Sequence, residues 1–259
     1  MNAAFLDALR KTPLYAPARG VYRWTKRKHP LSITPQRTGD IDVFDGGRDN
    51  RISYQAAQLV GKTTIAVRGN DNTVEIASGA RIEGCSFSIR GDGNRVSIGP
   101  SRLIGASVIV SGNSNRISVA GGCVLAGPGL VCEGKGSGIA LAAGIEVAGL
   151  TEFAALEGTS IAVGHDCLFS GNIFVRTGDS HSLIDLEGRR LNPARDVRIG
   201  DHVWVGVNVT ILKGVRIPDS CVVGACAVLT KEFETPHCVI AGNPARVVRE
   251  GVDWNAKLS

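Results

Sequence analysis

From Asn50 onward the chain alternates apolar and polar residues in short runs, each broken by Gly, Asn or Asp. Such alternation belongs to strands, whose successive side chains point to opposite faces. The runs also recur. Asn50-Arg-Ile-Ser-Tyr, Asn72-Thr-Val-Glu-Ile, Asn94-Arg-Val-Ser-Ile, Asn115-Arg-Ile-Ser-Val, Ser137-Gly-Ile-Ala-Leu and Thr159-Ser-Ile-Ala-Val follow at offsets of 22, 22, 21, 22 and 22 residues. A second echo runs through the same units as Ile65-Ala-Val-Arg-Gly, Phe87-Ser-Ile-Arg-Gly and Val108-Ile-Val-Ser-Gly. A fixed period of this size marks a solenoid, and the unit is too short and too strand-like for a helical repeat. Each unit is therefore predicted to be one coil of a β-solenoid. Asn and Gly are expected at its corners because they tolerate the positive φ of a tight turn between faces.

After residue 194 the period tightens. Ile199, Val205, Ile211, Ile217, Val223 and Leu229 place an aliphatic residue at every sixth position, and Val203, Val209, Val215, Cys221 and Ala227 precede the next aliphatic residue by two. Three such hexads make an 18-residue triangular coil, so Val197-Arg-Ile-Gly-Asp returns one coil later as Val215-Arg-Ile-Pro-Asp.

Between the two regimes the pattern fails. The 24 residues from Val175 to Ile199 exceed one 18-residue coil by six, and the run DSHSLIDLEGRRLNPARD carries no hexad. This segment is predicted to leave the coil as a loop, at about 177–195, and loops on a rigid scaffold are where chemistry is commonly placed. His181 is the one histidine flanked on both sides by short hydroxyl and acidic residues: Asp179, Ser180 and Ser182.

Composition sharpens this picture. The 33 glycines and 5% aromatic content suit many tight turns around a thin aliphatic core. The start MNAAFLDALRK offers neither a secretory signal nor a membrane span, so a cytoplasmic protein is expected. Seven cysteines without a CxxC pair read as small packing residues of a reducing compartment. The net charge of +5 is uneven: residues 1 to 30 hold Arg10, Lys11, Arg19, Arg23, Lys26, Arg27 and Lys28 against Asp7. Such a basic arm, assigned here to residues 1–49, can contact anionic lipid at the inner face of the membrane or an acidic glycan, and can equally be a solvated helix that caps the domain. No nucleic-acid partner is expected.

The block IGDHVWVGVNVTILKGVRIPDSCVVGACAVLTKEF, closed by VIAGNPARVVRE, closely resembles the hexapeptide-repeat acetyltransferases. The longer coils upstream and the DSHSLID interruption look like the branch that O-acetylates bacterial capsule, lipopolysaccharide and other surface polysaccharides. The resemblance implies a left-handed parallel β-helix over residues 50–250, a homotrimer with a site between neighbouring prisms, acetyl-CoA as co-substrate and a carbohydrate acceptor. The hand comes from the resemblance alone, since parallel crossovers are otherwise almost always right-handed. A short C-terminal helix is expected near Arg-Val-Val-Arg-Glu, followed by a tail at 251–259.

A sugar hydroxyl attacks a thioester only as its proton is removed, and neutral imidazole suits that task. The resemblance assigns it to His181. Asp179 or Ser180 can hold the ring in one tautomer, and the sequence does not choose between them. Trp204, a large aromatic at an outward position, must lie exposed or pack against something brought to it; the resemblance lines the acyl-CoA groove with it. Small residues at Gly206, Gly224 and Ala225 would let a pantetheine arm lie close along the coils. For the phosphates, the resemblance places Lys231, Arg246 and Arg249 on that side.

His165, His202, His29 and His237 read as structural or solvated. The absence of a close histidine pair argues against the zinc site of a γ-class carbonic anhydrase, and no metal is expected. Two alternatives stay open: an N-acetyltransferase of an amino sugar, and a non-catalytic glycan-binding solenoid.

Overall fold

The computed structural model describes residues 41–54 and 57–256, all within one compact unit, Pro35–Ser259. Residues 1–40 of the basic arm lie outside the described residues, whereas 41–49, assigned to the arm in sequence, belong to the solenoid as its first strand and the turn that follows. Twenty-five strands run from β1 (Ile41–Asp45) to β25 (Ala245–Glu250), with no helix among the described residues.

The strands stack in parallel on three faces. Along face one, Arg81, Arg102, Val124, Glu146, Leu168, Trp204, Val222 and Val239 stand in one register column. Face two carries Ile65 under Phe87, Phe87 under Val108 and Val108 under Leu130. Face three is a separate eight-stranded sheet, whereas the long strands β12 (Val124–Lys135) and β14 (Glu146–Leu156) bend around a corner and join faces one and two into seventeen strands. The arrangement is a parallel β-helix, the architecture that the resemblance implies. The solenoid reaches back to β1, which pairs with β4 (Thr63–Arg68) before the repeat becomes legible at Asn50.

The core is the inward half of each alternation. All eleven hexad residues from Ile199 to Leu229 are buried, as are Val74, Val96, Ile117, Ile139 and Ile161 of the longer coils. Six of the seven cysteines join them, and burial pushes the Cys132 and Cys167 thiols up to about 12. Cys226 departs from the packing expectation: it lies exposed on a corner.

The corner asparagines serve a different purpose from the one expected. Positive φ falls on the residue before each of them, at Asp49, Asp71, Gly93 and Ser114. The asparagines themselves turn inward as a ladder. Asn94 donates from Nδ2 to Asn72 Oδ1 (3.0 Å) and to Gly112 O (2.8 Å), while its Oδ1 accepts the Asn115 amide (2.9 Å). Buried polar groups must be paired, and a repeated Asn pairs each coil with the next. Beside the ladder, a Cβ on Gly91 would fall 2.1 Å from Gly112 O, so these glycines answer to close backbone approach as well as to φ.

Two further expectations are corrected. Val163 pairs with Ile199 across the loop-bearing coil, 36 residues on, whereas Ile199 pairs with Ile217 after 18. Val175 to Ile199 is one face-to-face step, normally six residues in this region, so the insertion amounts to a whole coil rather than six residues. Second, Arg-Val-Val-Arg-Glu is not helical. It forms β25, antiparallel to β24 (Cys238–Gly242), because the last parallel strand leaves an unpaired edge that a return strand satisfies.

Candidate active site

The loop leaves the prism on the edge between faces two and three, after β17 (Ile173–Arg176) and before β18 (Val197–Ile199). It is exposed but firmly tied. Lys213, in the corner one coil on and only 17% exposed, donates to Asp179 Oδ2 and to Asn192 O (3.2 Å). Asn192 donates to Asp179 Oδ2 (2.7 Å) and to His181 O (2.9 Å), and its Oδ1 accepts the Leu183 amide at 2.6 Å. Arg190 grips Glu157 through both terminal nitrogens (2.6 and 2.8 Å). The hydrogen bonds from Lys213 and then Asn192 hold the Asp179 carboxyl below the ordinary carboxylate value.

At the centre of these ties the His181 side chain is exposed, and among the described residues no hydrogen bond reaches its ring. The two proposed orienters are engaged elsewhere. Asp179 belongs to Lys213 and Asn192; Ser180, at φ 64°, accepts from Arg176 Nη2 at 3.2 Å. Instead of a hydrogen bond to the ring, the structure shows the backbone of His181 fixed through its carbonyl. Lys213 and Asn192 were not singled out in the sequence; nothing in their local pattern marks them.

Trp204 stands on face one, 38% exposed, its Nε1 donating to Ser170 Oγ at 3.0 Å. Trp254, also not anticipated, extends this surface: its ring centroid lies 6.1 Å from that of Trp204, and it stacks on His202 at 4.5 Å and 10°. Trp254 Nε1 donates to His202 O at 2.8 Å, and His202 Nε2 lies 3.2 Å from Trp254 O. Gly206, Gly224 and Ala225 gather on the edge between faces one and two. A Cβ on Gly206 would lie 2.8 Å from Ala225 N, and one on Gly224 would lie 3.1 Å from Ala241 Cβ; coil stacking alone therefore requires Gly at 206. Arg246 is brought to this group because it pairs with Ala241, and Arg249 lies further along β25 opposite Val239. Lys231 is not with them. It follows β23 (Val228–Leu229) on the loop edge, beneath Lys213, so one chain does not unite the three cations in a single phosphate site.

Face one lies opposite the edge between faces two and three. A single prism therefore presents His181 and Trp204 on opposite sides. Among the described residues no three His, Cys, Asp or Glu side chains cluster as a metal centre requires, and no helix is long and apolar enough to cross a membrane.

This scaffold, with one loop displacing its repeat, defines a class, and comparison with known proteins agrees. The bacterial transferase hexapeptide (six repeats) family matches residues 196–231. The crystal structure of the polysialic acid O-acetyltransferase OatWY superposes with a TM-score of 0.64 at 32% identity, over 78% of this chain and 92% of that one. The chain belongs to the hexapeptide-repeat acetyltransferases. Within them it is similar to the polysialic acid O-acetyltransferases of Neisseria meningitidis (34% identical over 108 residues, 41% of this chain and 50% of the relative) and Escherichia coli O1:K1 / APEC (32% over 96 residues, 37% and 31%). The chain thus spans between about a third and a half of the length of these curated relatives. The structure of the polySia-specific acetyltransferase NeuO aligns with 84% of this chain at 26% identity and a TM-score of 0.52.

Proposed function

We propose that the protein transfers acetyl from acetyl-CoA to a hydroxyl of a bacterial surface polysaccharide, with His181 as general base. The observation that carries this reading is the loop: a whole coil's length of chain is spent on presenting one free imidazole from a segment tied down by Lys213, Asn192 and Arg190. The similarity to two polysialic acid O-acetyltransferases supports the acceptor class.

In the reaction the sugar hydroxyl hydrogen-bonds to the unprotonated ring nitrogen of His181. As that proton moves to the imidazole, the oxygen attacks the thioester carbon, the tetrahedral intermediate collapses, and the CoA thiolate leaves and takes the proton back from the imidazolium. In this reading a backbone N–H stabilises the oxyanion. Trp204 and Trp254 offer flat apolar surface to the cofactor, and Arg246 a cation to its phosphates.

Because the loop edge and Trp204 face opposite ways, each site is completed by a neighbouring prism, and a closed homotrimer gives three equal sites. Mass measured by light scattering at low micromolar concentration checks this; a monomer would sink it. A cytoplasmic site of action is part of this proposal, since it draws on acetyl-CoA.

The decisive experiment measures thiol release from acetyl-CoA with a panel of acidic and neutral bacterial glycans and amino sugars. Glycan-dependent release that falls by about 10²–10⁴ in His181→Ala supports the reading. Binding of acetyl-CoA without acceptor-dependent release, or release equal in the variant, overturns it.

A further inference from the structure

The edge that carries the loop also carries a row of arginines further up the solenoid. Arg68 and Arg90 end adjacent strands on face two and stand in register; Arg95 and Arg116 begin adjacent strands on face three, also in register. Arg48 and Arg51 continue the row at its upper end. All six side chains are exposed, and among the described residues none has a carboxylate partner within salt-bridge distance; Arg68 rests instead on the Phe44 ring at 5.4 Å.

Like charges directly opposite on neighbouring strands are unfavourable. Elsewhere the fold relieves that repulsion: on face one Arg81 and Arg102 are also in register, and Glu83 bridges them with 2.7 Å contacts to both. Among the described residues no acid does this for Arg68 and Arg90 or for Arg95 and Arg116. Asp49, Asp71 and Asp92 sit on the corner itself, where Asp92 accepts hydrogen bonds from Asn70, so the arginines flank them on both faces and outnumber them. Coils stacked about 4.8 Å apart repeat the charge over roughly 14 Å.

We propose that this edge is a binding track for a polyanionic glycan, which lies along the corner and feeds its hydroxyls to His181 further down the same edge. A polymer with a carboxylate on each sugar meets at least one guanidinium group on each of four successive coils, with Thr73 between Arg51 and Arg95 on one face and Ser111 and Glu133 after Arg90 on the other, and it reaches the loop without crossing a face. The inference rests on the acetyltransferase reading for its acceptor, but the track is measurable without turnover.

The experiment compares wild type with Arg95→Ser/Arg116→Ser and with the charge-keeping Arg95→Lys/Arg116→Lys. Binding is read in low salt with a sialic-acid polymer, a uronic-acid polymer and neutral dextran; transfer is read on the sialic-acid polymer and on the free monosaccharide. The Ser pair should bind both acidic polymers about tenfold or more weakly and show a raised KM for the polymer, with rates on the monosaccharide unchanged. The Lys pair should stay near wild type, and dextran should bind none of the three. Equal polymer binding by the Ser pair and wild type overturns the track. So does tighter binding of a DNA oligonucleotide of equal charge or of anionic phospholipid vesicles. If wild type acetylates no glycan while the Arg-dependent polymer binding persists, the acetyltransferase reading fails and the track stands.

Discussion

Lys213 donates to Asp179 across 34 positions of sequence, joining the corner of one coil to the loop inserted in the coil before. The pair fixes where the loop starts, and through Asn192 it fixes the carbonyl of His181. In the proposed reaction Lys213 is thus a positioning residue. It touches no reacting group and acts by holding the backbone that presents the imidazole.

Lys213→Ala should lower kcat by about tenfold to a hundredfold, the effect of a misplaced catalytic group, while KM for acetyl-CoA changes less. Amide exchange should quicken across residues 179–192 but not in the coils. Lys213→Arg should recover part of the rate. An unchanged kcat in the alanine variant, with exchange quickened, would show that the brace has no bearing on the chemistry.

The same pair sets an acid limit. Asp179 has a folded pKa below its unfolded value of about 3.9, because Lys213 and Asn192 stabilise the carboxylate. The contribution to loop order is therefore present above about pH 4 and is lost only as pH falls through the lower folded value. Carboxyl NMR should find the Asp179 midpoint below the ordinary range, and Lys213→Ala should move it upward. A midpoint unmoved by that substitution would remove Lys213 as the cause.

Asn94→Ala removes both donors' worth of contact to Asn72 and Gly112 and strips the acceptor from the Asn115 amide. The Asn115 amide is left without its acceptor while Asn72 Oδ1 keeps the Asn94 backbone amide, so the protein should lose about 1–3 kcal/mol in denaturant unfolding. A loss under about 0.5 kcal/mol, the range of ordinary surface changes, would mean that the ladder is decoration.

Trp204→Ala should raise KM for acetyl-CoA about tenfold, as expected for loss of a large aromatic contact. Since the ring is partly exposed on one face, the melting temperature should shift by only about 2 °C. A large drop in melting temperature with an unchanged KM would assign Trp204 to packing alone.

The periods of 22 and 18 residues expose which side chains point inward, because burial follows alternation and alternation is local. Every hexad aliphatic position obeys it, and the loop shows itself as the place where the rule lapses. What depends on coil stacking was hidden. Asn94 reads as a turn residue until Asn72 and Asn115 are seen above and below it. Lys213 reads as one more surface cation until the loop of the preceding coil brings Asp179 to it. Arg-Val-Val-Arg-Glu is too short for its pattern to separate helix from strand, and the unpaired edge of β24 decides the matter from outside the segment. Lys231 and Arg246 look like companions in sequence, yet a face of the prism separates them.

A parallel stack of coils has no natural end: the last coil displays the same row of amides and carbonyls that the next would use. The return strand β25 changes the polarity of that surface. It runs antiparallel to β24 and ends the sheet with Arg246, Arg249 and Glu250 exposed. On that face another chain of the same kind meets a charged, reversed rim in place of the template on which its own coils were built, which disfavours end-to-end growth there.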